Sequence, residues 1–234
     1  MNEQGAQMPA DPPFDLDQID RLLTTTKAVR RRLDLERPVD RSTVVECIRL
    51  ASYAPNASNA QEWHWVVVDD PEQRARVGEQ YRRCTVEVVS GMLAVKEAEG
   101  DEAGARISRS IIHLAERMAE VPVIVIPCYD VEEGSRRYGH LIGPDRPTWT
   151  MEPGMWASIY PAVWSFLLAL RSRGLGSTLT TAHQSDQVTM ADILGIPRTW
   201  EQVALLPVAH TTGGDFKPSP RAPVEDSIVW NHYR

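Results

Sequence analysis

The chain has none of the short motifs that mark common catalytic machinery. No G-x-S-x-G elbow and no Walker A loop occur, and Gly174-Leu175-Gly176-Ser177 lacks the third glycine of a dinucleotide fingerprint. The six histidines (His64, His113, His140, His183, His210 and His232) show no metal-ligand spacing, and there is no Cys-x-x-Cys, so no metal site is expected. The acids are spread over helix-like faces and form no obvious acid/base pair, so no catalytic side chain is expected. Cys47, Cys84 and Cys128 are odd in number and lie apart, among apolar neighbours or on helical stretches. That excludes a disulfide framework and points to inert thiols in a reduced, cytoplasmic setting. No apolar run approaches the roughly 20 residues that cross a bilayer, so no membrane partner is expected. Residues 1–14 have no apolar core for a signal peptide and read as a disordered tail. The net charge of −7 argues against a general nucleic-acid binder and leaves room for a local basic pocket.

At 234 residues, 42% of them hydrophobic, the chain can build one comfortable core, and residues 15–234 are read as one domain. Leu16, Ile19, Leu22 and Leu23 share one helical face behind a capping Asp15. Asp40, after Pro38, is placed to cap a second helix. Trp65-Val66-Val67-Val68 reads as a buried strand, and Val121 to Tyr129 as another. Between them, Glu72 to about Arg117 is helical, broken near Gly100 and Gly104. Residues 132–154 are dense in Gly, Pro, Arg and Trp and read as a structureless excursion, a lid or binding loop. Met155 to Leu170 predicts a helix apolar on so wide a face that it must be mostly buried, stopped at Gly174. Leu175 to Thr181 is extended, Asp186 to Leu194 is a short helix, Val203 to Ala209 is a strand, and Ile228-Val229-Trp230 suggests an edge strand. Helices outnumber strands and no regular βαβ repeat exists. The class is α+β, with one central sheet and helices packed round it.

Four stretches could hold a ligand. The loop Pro55 to Gln61 offers Asn56, Asn59 and Gln61 as donors and acceptors, with Ala57 and Ala60 letting a flat ring approach the backbone; an ordinary Asn/Ser turn fits these residues equally well. Lys27-Ala28-Val29-Arg30-Arg31-Arg32 is either an anion site or a solvated basic helix end. Gly174 to Thr181 adds small and hydroxyl residues, and Arg221 a second cation. Two cation sites for a phosphate, with neutral loops for a heterocycle, suit flavin mononucleotide, a cofactor that carries the redox chemistry itself.

In these features the chain resembles the FMN-dependent nitroreductase family over about residues 15–230. The likeness lies in the basic stretch, the loop Ala-Pro-x-x-x-Asn-x-Gln-x-Trp at 54–63 leading into a Val-rich strand, the buried helix ending Gly-Leu-Gly at 174–176, and Pro220-Arg221. The resemblance implies a three-layer α+β sandwich whose central, mostly antiparallel sheet is flanked by helices. It also implies an intertwined homodimer with FMN at the interface, touching both chains. By position, Lys27, Arg30, Arg31 and Arg32 would bind the phosphate, with Arg221 as the second cation. Pro55, Asn56, Ala57, Asn59 and Gln61 would come from the partner chain to the isoalloxazine or ribityl groups. Ser158 would face the flavin, and Leu179, Thr180 and Thr181 would lie along the ring near N5. The implied activity is a ping-pong transfer of hydride from NAD(P)H to nitroaromatic or quinone-like acceptors. Trp149, Met151 and Trp156 are candidates for the acceptor wall or for interface packing. Alternatives on the same scaffold are a reductive dehalogenase, an enzyme that consumes the flavin, and a non-catalytic FMN-binding dimer. The chain departs from the usual pattern at Ala28, at Asn56-Ala57, at Glu62 where proline is common, and at Thr181-Ala182.

Overall fold

Residues 13–138 and 151–231 are described by a computed structural model. In chain order the helices are α1 (Leu16–Thr25), α2 (Arg41–Ala51), α3 (Pro71–Ala98), α4 (Glu102–Arg117), α5 (Val131–Tyr138), α6 (Met151–Ser172) and α7 (Gln187–Leu194). The strands are β1 (Leu33–Asp34), β2 (Trp63–Val68), β3 (Val123–Asp130), β4 (Leu175–Gly176), β5 (Trp200–Gln202) and β6 (Leu206–Thr211). Every strand pairing is antiparallel, in the order β1-β6-β3-β2, with β4 against β6 and β5 against β3.

The nearly unbroken apolar run of β3 is explained by burial on both faces. Val123, Val125 and Tyr129 join one core with Cys47 and Ala51 of α2 and with Ile159, Val163, Phe166 and Leu170 of α6. Ile124, Ile126 and Cys128 alternate with them and are also buried. Helix α3 packs against α4 and α7, and α2 packs against α6. The expected α+β sandwich with a central antiparallel sheet is what forms.

Several expectations are met in detail. Asp15 caps α1 through the Gln18 N–H, and α3 gives way to α4 at Gly100, which takes φ +71°. Others need correction. Asp40 precedes α2 but its side chain makes no capping bond. Residues 228–230 form no strand; a 3-10 turn at Val224–Ser227 precedes them, and all three are exposed. The stretch 132–154 is not structureless throughout, because α5 occupies its start and α6 begins at Met151. The basic stretch is not a helix end either: α1 stops at Thr25, and residues 26–32 are irregular.

The described chain falls into two compact units. The larger, residues 28–213, contains the sheet and α2 to α7. The smaller joins α1 to residues 214–231, held by an Arg21–Asp215 ion pair at 2.5 Å. Among the described residues, no helix is long and apolar enough to cross a membrane.

Candidate functional site

The loop between α2 and β2 is built on unusual backbone. Ser58 and Asn59 both take φ +52° and Gln61 φ +55°, left-handed conformations that side-chain-bearing residues rarely adopt. Each such residue costs about 1–3 kcal/mol and persists only where its surroundings enforce it. The enforcement is visible. Asn56 accepts the Gln61 N–H on Oδ1 at 3.0 Å and donates Nδ2 to the Ala54 carbonyl at 3.3 Å. The Ala57 N–H donates to Ser158 Oγ at 3.2 Å, and that hydroxyl donates to the Gly154 carbonyl at 2.8 Å. Ser158, buried on α6, therefore pins the loop. Pro55, Ala57, Asn59 and Gln61 remain exposed, so the loop presents a rigid rim of amides and methyls.

The segment after α6 is built in the opposite way. Gly174 takes φ +73° and turns the chain out of the helix. Gly176 then has no room for a side chain: a Cβ there would sit 2.5 Å from Thr211 Cγ2 and 3.2 Å from Val29 Cβ. This closeness lets the Val29 N–H reach the Ser177 carbonyl at 2.9 Å, which brings the basic stretch alongside Ser177 and Thr178. Both hydroxyls are buried and, among the described residues, have no hydrogen-bond partner. Thr180 pairs its backbone with Leu205 and shares a 2.9 Å hydrogen bond with the Tyr81 hydroxyl of α3. Arg30 lies in the same neighbourhood, close enough to Tyr81 for the phenol to act on it electrostatically. Burial lowers the Arg30 pKa, with Tyr81 opposing that shift, and among the described residues no carboxylate pairs with it. Leu179 and Thr181 are exposed beside it.

The other cations differ. Arg31 is exposed, and Arg32 straps the edge of β1 by donating to the Thr212 carbonyl at 2.7 Å. Lys27 and Arg221 belong to the smaller unit. Lys27 donates to the Lys217 carbonyl at 3.0 Å above the Phe216 ring, and Arg221 is exposed, bonded to the Pro220 carbonyl. Of the proposed acceptor wall, Trp156 is half-buried against Tyr160 with ring centroids 5.8 Å apart. Met151 opens α6, but its side chain, like Trp149, lies outside the described residues.

Sequence reasoning missed three polar groups. Tyr81 looked like one apolar position in a helical stripe; a phenol there was a signal that its hydroxyl needs a partner. His183 is fully buried, neither ring nitrogen is bonded among the described residues, and burial pushes its pKa down to about 4. Glu62, noticed only as a departure, is a buried carboxylate held by Tyr129 and Arg137. Its partner on α5 lies in the stretch that the sequence presents as a structureless excursion.

Comparisons with known proteins agree with this architecture. A 5,6-dimethylbenzimidazole synthase from Rhodospirillum rubrum is 28% identical over 198 residues, which cover 84% of this chain and 82% of that protein. A BluB-like flavoprotein from Clostridium difficile superposes with a TM-score of 0.64 at 19% identity, covering 94% of this chain and all of the other. An iodotyrosine deiodinase bound to FMN and 3-iodo-L-tyrosine gives 0.65 at 20% identity, covering 91% and 98%. The model of the nitroreductase family matches residues 23–210, and this chain belongs to that family.

Proposed function

We propose that this chain is an FMN-dependent oxidoreductase that passes hydride from NAD(P)H through the flavin to a small acceptor such as a nitroaromatic or a quinone. Arg30 is the observation that carries the reading. It is a half-buried guanidinium that no carboxylate pairs with among the described residues, in the neighbourhood of two buried hydroxyls, Ser177 and Thr178, that find no partner among them either. An enclosed cation and unsatisfied donors are stabilised by an anionic, hydrogen-bonding ligand, and FMN offers a phosphate and a polar pyrimidine edge.

When bound, FMN would supply the two-electron chemistry, which fits a site without an acid/base pair. The chain's own part is to bind, orient and shield. Arg30 would neutralise negative charge on the cofactor, and charge matched in a half-buried site is worth more than in water. The backbone of residues 179–181, fixed by the Thr180–Leu205 and Thr180–Tyr81 bonds, would set the position of one ring edge. Pro55, Asn56, Ala57, Asn59 and Gln61 would cover the ring from a second copy of the chain. Exposed apolar residues of the larger unit, Val45, Tyr53, Val67 and Trp164, support a homodimer. Assignment of Lys27 and Arg221 to the phosphate, and of Trp149, Met151 and Trp156 to the acceptor wall, rests on the family resemblance. Titration with FMN should give a yellow protein with one flavin per chain, reduced by NADH or NADPH in stopped flow. Colourless protein that takes up no FMN contradicts the proposal.

The match to the Rhodospirillum rubrum synthase favours a second reading, in which reduced flavin is consumed in the presence of oxygen. The two separate cleanly. Many turnovers at constant flavin absorbance support the first, whereas stoichiometric loss of flavin with 5,6-dimethylbenzimidazole appearing supports the second.

A further inference from the structure

Glu62 closes the amide loop, one residue after Gln61, with its side chain only 3% exposed. Both of its carboxylate oxygens and its backbone carbonyl are engaged. The Tyr129 hydroxyl donates to Oε2, Arg137 Nε donates to Oε1 at 2.7 Å, and the Glu62 carbonyl accepts the Asp130 N–H at 2.9 Å. Tyr129 and Asp130 end β3, and Arg137 lies in the last turn of α5. The first turn of α5 is fixed separately. Asp130 Oδ1 accepts the Glu133 N–H at 3.0 Å, and the Val131 N–H donates to the Thr199 carbonyl at 3.0 Å. In between, Gly134 lets α5 lie flat on Tyr129, because a Cβ there would fall 2.8 Å from the phenol oxygen.

Neither partner of this contact is stable alone. A helix of eight residues is too short to hold itself in water. The loop holds three residues in left-handed backbone and needs both ends pinned, by Ser158 at Ala57 and by Tyr129 and Arg137 at Glu62. The connecting bond is no ordinary surface ion pair, since losing Arg137 would leave a carboxylate buried without its cation.

We propose that Glu62 and Arg137 form a latch that couples the shape of loop 56–61 to the folding of α5, with Glu62 as a positioning residue for the cofactor wall. The assignment of that wall rests on the flavin reading above; the latch itself does not. Coupling of this kind is reciprocal. Whatever stiffens the loop stabilises α5, and whatever frees α5 loosens the loop.

Amide hydrogen exchange on the whole protein tests it, first without ligand and then with FMN. Arg137→Met should speed exchange about fivefold or more in peptides covering both 56–61 and 131–138, and leave Val123–Ile126 of β3 unchanged. Arg137→Lys should recover most of the protection. Gly134→Ala, which forces Tyr129 off Glu62 without altering either charge, should loosen the same two segments. In wild type, FMN should slow exchange in α5 as well as in the loop, and Arg137→Met should abolish the effect on α5. Unchanged loop exchange in both Arg137→Met and Gly134→Ala overturns the latch, whether or not FMN binds. Loosening of both segments in a protein that binds no FMN upholds the latch and overturns the flavin reading instead.

Discussion

The loop at 55–61 and the segment at 174–181 both set small polar side chains beside a buried element, yet they are built in opposite ways. The loop satisfies much of its polarity internally, through Asn56 and Ser158, and stores its cost in the backbone at Ser58, Asn59 and Gln61. The later segment is left-handed only at Gly174 and leaves its cost in side chains: Ser177, Thr178 and, just beyond it, His183 are buried without partners among the described residues. A strained, self-satisfied loop is a shaped wall. A relaxed segment with buried hydroxyls to satisfy would, on the flavin reading proposed above, be the socket. On the same reading, the two stretches would have different duties towards one ligand.

The largest expected effect is at His183. Burial holds His183 near pKa 4, whereas an unfolded histidine titrates near 6.5. Between those values the unfolded chain binds more protons, so this contribution is intact above about pH 6.5 and is lost as pH falls towards 4. The loss amounts to about 3 kcal/mol, and urea unfolding at pH 7 and pH 4.5 should show most of it. His183→Met should flatten that part of the profile; an unchanged slope would place the acid sensitivity elsewhere.

A smaller effect belongs to the wall. Ser158→Ala removes the acceptor for the Ala57 N–H and should cost about 1–2 kcal/mol in thermal unfolding, with a matching loss of FMN affinity. If stability falls and FMN binding does not, the loop is only a turn. The smallest effect has the opposite sign. Ser58→Gly relieves left-handed strain and should raise stability by roughly 0.5–1 kcal/mol after the flexibility of glycine in the unfolded chain is counted. A lower melting temperature would show that the loop is not strained there.

Much of this was legible in the chain. The apolar run at 121–129 and the broad face of 155–170 could be nothing but buried, and Gly174 marked where the helix stops. The Gly-x-Gly at 174–176 could be noticed but not explained, because Gly176 is required by Val29 and Thr211, distant in sequence. The start of the supposed excursion hid a helix whose signal was present: Asp130 and Glu133 stand at capping-box spacing, and Glu133 and Arg137 at i,i+4. At 228–230 the β-branched pair suggested a strand, but a strand needs a neighbour with free edges, and local pattern carries no information about that. Among the cations, four in six residues looked alike. Only tertiary structure separates Arg32, bonded to Thr212, from Arg30, half-buried without a counter-charge.

Arg30 therefore carries the account. FMN titration of the wild-type protein and of Arg30→Gln, followed by flavin fluorescence, tests it most directly. Loss of a charge-assisted contact of about 1.5–3 kcal/mol predicts roughly 10- to 150-fold weaker FMN binding for the variant, with the melting temperature of the ligand-free protein unchanged or raised. Equal FMN affinity in the two proteins would contradict the claim that this guanidinium is the cofactor's anion site.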